Sequence, residues 1–323
     1  AMASYPNFDL NNPKDLSAYF TEEELAGMSD EDKMNQLNKL WQNYTISNTF
    51  EPGSTFKPFT EAMGLDSGSL RGDETYICDG SEWVSGHEIH CVNRSGHGTE
   101  DLRGALRDSC NDALMQMVRA IGPANFAKYS REYGFGQKTG IDLPGEASTA
   151  SLIFSEEQLA RTESNLAVSS FGQGFNVTMI QLASSFCSLI NGGNIYQPHV
   201  VKKIVDGSGN TVQEISPVVT KETVSQEVSD TLRDYMYTVV SEGTGAKAAV
   251  EGYAIGGKTG TAEKVPRGFA PVDDPQVVVY VVVDEPHVAD QSHCSQSSYI
   301  AKNIFSQILP YMNIERMDSV AAE

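Results

Sequence analysis

The chain has 323 residues, 40% of them hydrophobic and 20% charged, a balance that suits a folded core and argues against disorder. Its 43 acidic and 23 basic residues leave a formal charge of −20 with no basic stripe to offset it, which excludes nucleic acid as a partner. The longest strongly apolar run, Val277–Val283, falls far short of the ~20 residues that span a bilayer.

The opening, AMASYPNFDL, reads like the middle of a protein, a short apolar strand running into a Pro turn, so any anchor of the parent is expected upstream. TEEEL and SDEDKMNQL then pair a hydroxyl cap with an acidic first turn, the signature of short helices. EPGSTFKPFTEAMG sets a Pro-Gly turn directly before a helix start. Residues 72–100 are glycine-rich with short alternating pieces, which predicts a small hairpin excursion. DLRGALRDSCNDALMQMVRAIG is helical on both sides of a step at DSCN. Ser155–Gln158 is a capping box, and Asn176–Asn191 is an apolar helix stopped by Gly192 and Gly193.

From Tyr196 to Pro217, β pieces surround the turn DGSGN, and TKETVSQEVSDTLRDYMYTVVSEG forms a long amphipathic helix. GYAIGGKTGTAEK and PQVVVYVVVDEP are strands, and SYIAKNIFSQIL is a closing helix. Strands near the chain ends with helices between them predict an α+β fold, an antiparallel sheet flanked by a helical lobe.

Three short motifs carry the chemistry. In Ser54-Thr55-Phe56-Lys57 the first and last residues share a helix face. A serine hydroxyl becomes a nucleophile only when a base takes its proton, and a lysine serves once burial lowers its proton affinity. Gly53 turns the chain so that Ser54 meets helix N–H groups able to stabilise an oxyanion. At the break between two helices, Ser109 and Asn111 flank Cys110, so the first can relay a proton and the second hold a substrate amide. On a late strand, Lys258 supplies positive charge, Thr259 and Thr261 bind a carboxylate, and Gly260 leaves room for substrate. The three motifs lie about 55 and 150 residues apart, in this order.

This set resembles the penicillin-binding proteins and serine β-lactamases. EPGSTFKP, GHGT, GIDLPGE, FGQG, LINGGNIYQPHVV, VVSEGTGAKAAVEGY and GGKTGTAEK extend the likeness over nearly the whole chain, to transpeptidase domains of class B penicillin-binding proteins, in particular the elongation and spore-cortex branch of Gram-positive bacteria. The resemblance implies the penicillin-binding/β-lactamase-like fold, a five-stranded antiparallel sheet flanked by helices, with residues 1–323 as one domain and an all-helical lobe at approximately 58–195. It implies a serine D,D-transpeptidase acting on peptidoglycan stem peptides that end in D-Ala-D-Ala, inhibited by β-lactams and needing no cofactor for catalysis. A glycosyltransferase partner and a membrane-anchored parent with this domain on the extracytoplasmic side are implied as well. Residue by residue it makes Ser54 the nucleophile and Lys57 the base. Ser109 and Asn111 match the second motif and Lys258, Thr259 and Gly260 the third, with the N–H of Thr261 joining that of Ser54 in the oxyanion hole.

Relatives carry a strand of roughly ten residues between the counterparts of TAEK and GFAP, where this chain runs straight across in KVPRGFAPVDDP. Two other readings stay open: a β-lactam-binding sensor or scaffold without turnover, and a class D-like serine β-lactamase, whose second motif has an apolar residue where this chain has Asn111.

Three of the five cysteines are bunched with a histidine. Cys78, Cys91, His97 and Cys110 follow at intervals of 13, 6 and 13, a three-thiolate, one-imidazole set that suits a closed, structural Zn²⁺ site. If Ser109 and Asn111 face the cleft, Cys110 faces the body of the protein, and a metal there would brace the second motif from behind. A Cys78–Cys91 disulfide and three unrelated thiols are the alternatives. His287, Asp290, His293 and Cys294 read as a solvated loop.

Overall fold

The computed structural model describes residues 1–260, 265–284 and 295–317; Thr261 and the segment carrying His287, Asp290, His293 and Cys294 lie outside the described residues. Local hydrogen bonding sets where the helices start. α1 (Glu22–Gly27) and α2 (Asp30–Trp41) are capped by Thr21 and Ser29, whose hydroxyls accept from the N–H groups of Glu24 and Asp32. After α3 (Tyr44–Ser47) and the two-residue strand β1 (Thr49–Phe50), the chain makes a 3-10 turn at Gly53–Phe56 and enters α4 (Lys57–Asp66).

The excursion expected between 72 and 100 is a nested pair of hairpins. β2 (Thr75–Cys78) pairs with β5 (Gly98–Asp101), and β3 (Ser81–Val84) with β4 (His87–His90), all antiparallel. α5 (Leu102–Arg107) and α6 (Asn111–Glu132) flank the expected break, and α6 kinks at Gly122 (φ 73°) ahead of Pro123. α7 (Glu156–Arg161), α8 (Glu163–Ser169), β6 (Val177–Thr178) and α9 (Met179–Ile190) follow, with capping boxes at Ser155 and Thr178.

β7 (Asn194–Tyr196), the hairpin β8 (Lys203–Val205) with β9 (Thr211–Glu214), and β10 (Val219–Glu222) precede α10 (Gln226–Ser241). The amphipathic helix thus begins later than its sequence pattern suggests. Thr220, Lys221 and Glu222 belong to β10, paired with β7, because β-branched neighbours favour the strand and the Ser225 hydroxyl caps the helix only from Val228 N–H onward.

β11 (Gly256–Gly260), β12 (Val265–Ala270) and β13 (Val277–Tyr280) form an antiparallel sheet in that order, with α11 (Gln296–Tyr311) packed on β12 and β13. Where five strands are expected, the described residues supply three in this sheet. The N-terminal segment expected to open with a strand runs as turns, leaving Tyr5 84% and Leu10 83% exposed, while Phe8 packs on the cluster of Leu16, Leu37 and Leu40 rather than on a strand. Val265–Ala270 of the direct run supply the middle strand, with Lys258 opposite Arg267 and Phe269 opposite Gly256 and Val278.

The main core grips the 3-10 turn. Phe56, fully buried, meets the rings of Phe175 at 4.9 Å, Phe59 at 5.3 Å, Phe135 at 5.5 Å and Phe126 at 5.9 Å. Burying one such ring stabilises by about 1.5–3 kcal/mol, and this one sits two residues after Ser54. Gly53 N–H donates to Gly172 O at 2.8 Å, and Arg267 Nη2 donates to Thr55 Oγ1 at 2.6 Å. The Arg267 guanidinium is sandwiched by Tyr280, Phe186 and Phe59, with ring centroids at 4.5, 5.3 and 6.0 Å.

Gly172 permits that grip: it has φ +81°, and a Cβ there would lie 2.2 Å from Gly53 O and 2.8 Å from Phe56 Cβ. Gly145, at φ +90°, has nothing within 4 Å of such a Cβ. Gly145→Ala is therefore expected to cost the left-handed strain alone, about 1–3 kcal/mol, and Gly172→Ala distinctly more, with slowed chemistry at Ser54. Denaturant midpoints of the two variants check this; equal losses would show that the close approach carries no stability.

Candidate active site

Three elements from distant parts of the chain converge at the end of α4. Lys57 N–H donates to Ser54 O, an i,i+3 bond that sets the half-buried Ser54 one 3-10 turn before the fully buried Lys57. The Lys57 ammonium donates to Ser109 O at 2.5 Å, Ser109 Oγ at 3.1 Å and Asn111 Oδ1 at 2.7 Å. From β11, Lys258 Nζ donates to the same Ser109 Oγ at 3.0 Å and to Thr259 O at 3.0 Å. One hydroxyl thus accepts from two lysines, and its own proton remains free to donate elsewhere.

Geometry at the helix break makes this possible. Ser109 is a non-glycine residue at φ 58°, the left-handed conformation that the DSCN step imposes, and Asn111 is the first residue of α6. Asn111 Nδ2 also donates to His90 O at 3.2 Å, so its amide is held from both ends with one N–H to spare. Burial lowers the Lys57 ammonium to about 8. Lys258 is pushed well below its ordinary value by burial and by the charge of Lys57.

Glu61, one helical turn beyond Lys57, was not singled out by the sequence pattern. It is fully buried, and neither carboxylate oxygen has a hydrogen-bond partner among the described residues. Burial, and then the charge of Asp101, pushes its carboxyl well above the carboxylate range. A carboxyl whose charge is disfavoured by burial is a weaker counter-charge to Lys57, which helps keep the lysine a usable base. The i,i+4 spacing after Lys57 is its only signal in the sequence.

Of the third motif, Thr259 and Gly260 are half-buried on β11. Thr259 Oγ1 lies 3.1 Å from Thr244 Oγ1, a residue beyond the end of α10 that the motifs did not include. Hydrogen bonds thus link Ser54, Lys57, Ser109, Asn111, Lys258 and Thr259 in one network.

The cysteine–histidine cluster lies behind it. Cys78 ends β2, Cys91 follows β4, His97 precedes β5 and Cys110 caps α6. His97 Nδ1 lies 3.5 Å from Cys78 Sγ and 3.6 Å from Cys91 Sγ, and Cys91 Sγ lies 3.8 Å from Cys110 Sγ. All four donor atoms lie within 4.8 Å of one another, and the thiols are free rather than bridged. Tetrahedral zinc with ordinary bond lengths would set sulfur–sulfur edges of about 3.8 Å and sulfur–nitrogen edges of about 3.6 Å, which these contacts already match. Two glycines close the knuckle: a Cβ on Gly80 would lie 2.2 Å from Arg94 O, and one on Gly96 2.4 Å from Cys78 O. Cys110 is fully buried, with Cys91 Sγ and Ala113 N–H as the neighbours of its sulfur, and the His90 carbonyl that holds Asn111 directly precedes Cys91.

Comparison with known proteins identifies the family. The penicillin binding protein transpeptidase domain matches residues 1–309. Stage V sporulation protein D of Bacillus subtilis is 38% identical over 290 residues, covering 85% of this chain and 44% of that protein. The peptidoglycan D,D-transpeptidase FtsI of Escherichia coli is 28% identical over 330 residues, 98% of this chain and 50% of that protein. The chain thus spans about half the length of the curated relatives it matches. Among solved structures, penicillin binding protein 3 of Mycobacterium tuberculosis in complex with aztreonam superposes with a TM-score of 0.76 at 26% identity, covering 88% of this chain and 67% of that one. The D,D-transpeptidase domain of an Eggerthella lenta peptidoglycan glycosyltransferase, at 24% identity, shares the fold with a TM-score of 0.80 over 95% of this chain and 75% of that one. With the family model matching residues 1–309, the chain belongs to the family of the penicillin binding protein transpeptidase domain.

Proposed function

We propose that this domain is a serine D,D-transpeptidase that cross-links peptidoglycan stem peptides through an acyl-enzyme on Ser54 and is blocked by β-lactams. The observation that carries the reading is the shared hydrogen bonding of Lys57 and Lys258 to Ser109 Oγ beneath the Ser54 turn. Neutral Lys57 takes the Ser54 proton as Oγ attacks the carbonyl carbon of the penultimate D-Ala. The C–N bond then breaks, the departing D-Ala amine receives its proton through Ser109, and the acyl group remains as an ester. The amine of a neighbouring stem attacks that ester, and Ser54 recovers its proton as the C–O bond breaks. Asn111 holds the substrate amide, Lys258 and Thr259 receive the terminal carboxylate, Gly260 gives the substrate room along β11, and the Thr261 N–H completes the oxyanion hole with that of Ser54.

In this reading residues 1–323 work as one domain, with 58–195 as the lobe that carries the second motif. A cell-wall substrate places the domain on the extracytoplasmic face of a membrane-anchored parent, beside a glycosyltransferase that supplies the glycan, in elongation or in spore-cortex synthesis. Among the described residues no helix is long and apolar enough to cross a membrane. We further propose that Cys78, Cys91, His97 and Cys110 hold a structural Zn²⁺. Four protein donors close the coordination shell, so the ion would have no chemical step to perform and would fix the hairpins against α6.

Ser54→Ala is expected to abolish the mass increment produced by a penicillin. Lys57→Ala should keep the fold and slow acylation by about three orders of magnitude or more, since nucleophile and base act as a unit. Intact-protein mass spectrometry over time checks both, and an adduct persisting in Ser54→Ala would move the nucleophile elsewhere.

With Lys57 lowered to about 8, its neutral form grows as pH rises through that value. The acylation rate should therefore climb about tenfold between pH 7 and pH 9; a flat profile would remove Lys57 as the base.

Elemental analysis of protein purified without added metal should find about one equivalent of zinc. Cys91→Ser should lower zinc content, thermal stability and acylation rate together, and a strong chelator should reproduce the loss. Less than about a tenth of an equivalent would reject the site.

A further inference from the structure

Thr244 lies outside the three motifs, yet it touches two of the walls that carry them. Its N–H and its Oγ1 both reach Arg107 O, at 3.2 and 3.3 Å, two residues before Ser109. Its Oγ1 also lies 3.1 Å from Thr259 Oγ1. The loop is built for this position. A Cβ on Gly243 would lie 2.5 Å from Arg107 O, so only glycine allows the approach. Gly245 N–H donates back to Val239 O at 2.8 Å, tying the loop to the end of α10. Arg107 is held in turn by its side-chain pair with Asp108, at 2.6 and 3.1 Å.

Proton counting gives the arrangement a direction. A threonine hydroxyl has one proton. While Thr244 donates to Arg107 O, it can only accept from Thr259, and the Thr259 proton is turned away from the cleft. A carboxylate arriving at β11 needs that proton. If Thr244 swings its own proton from Arg107 O to Thr259 Oγ1, the Thr259 hydroxyl is free to donate to the carboxylate. Arg107 O is not orphaned by the change, because the Thr244 N–H stays on it.

We propose that Thr244 is a positioning residue for carboxylate recognition, acting through Thr259 as a two-hydroxyl relay whose polarity reverses when the anion binds. This rests on the reading above that β11 receives the substrate carboxylate. Thr244 is exposed at the surface, so its substitution leaves the core untouched.

The test measures penicillin acylation of Ser54 over a range of drug concentrations, separating the half-saturating concentration from the limiting rate. Thr244→Val should raise the half-saturating concentration about 3- to 10-fold, the worth of one hydrogen bond, with the limiting rate unchanged within about twofold. Thr244→Ser, which keeps the hydroxyl, should restore it. Thr259→Val should weaken binding too, and the double variant should be no weaker than Thr259→Val alone, since the relay has a single outlet. If Thr259→Val weakens binding but Thr244→Val does not, if the two losses add in full, or if Thr244→Ser fails to rescue, the relay is wrong while the carboxylate site stands. If Thr259→Val leaves the half-saturating concentration unchanged, the carboxylate reading fails and the relay with it.

Discussion

Two buried lysine ammonium groups share one serine hydroxyl, and much of this molecule follows from tolerating that arrangement. Like charges so close, and so buried, repel more strongly than water would allow them to, so a proton leaves more readily than it would at the surface. Lys57 and Lys258 come from segments about 200 residues apart, and neither could hold its position without a rigid frame. That frame is aromatic around Phe56, backbone-tight at Gly53 and Gly172, and cross-braced by Arg267 on Thr55. The acidic surface of the chain does not reach this site: Glu61, the fully buried carboxylate nearest in sequence to Lys57, has its proton affinity raised by burial. A base of useful strength thus results from the fold's geometry rather than from any unusual residue.

The second motif is held from two directions. The lysines approach from α4 and β11, while the hairpins reach Asn111 from behind through His90 O. The cluster of Cys78, Cys91, His97 and Cys110 places the most reactive side chains of the hairpins on the far side of the same three-residue step that presents Ser109 and Asn111 to the cleft. A backbone that alternates faces at consecutive residues makes this double use possible without lengthening the chain.

Much of this was legible in the sequence because its signals are local. Thr21, Ser29 and Ser155 cap the helices they precede, since a hydroxyl and an N–H three residues on decide the matter among themselves, whereas the helix expected from Asn176 starts only at Met179, after Val177 and Thr178 pair with β1. The break at DSCN and the hairpins between 72 and 100 were readable for the same reason. The cysteine spacing pointed to a cluster whose donor atoms do converge. What escaped depended on distant partners. The N-terminal apolar residues suggested a strand, but there Tyr5 and Leu10 face solvent and Phe8 packs on Leu16, Leu37 and Leu40 instead of entering a sheet. Thr220–Glu222 carried a helical pattern that pairing with β7 overrode. Glu61 and Thr244 gave no pattern at all: one matters because of what surrounds a helix face, the other because two loops happen to meet.

The backbone of Ser109 has a consequence for how such a domain evolves. A residue with a side chain held at φ 58° costs of order 1–3 kcal/mol relative to glycine in the same place. Glycine would relax the step and make the folded state more stable, while removing the hydroxyl on which both lysines converge. Selection for stability and selection for activity therefore oppose each other at this position, and the serine persists as a standing trade-off that the surrounding aromatic frame must offset.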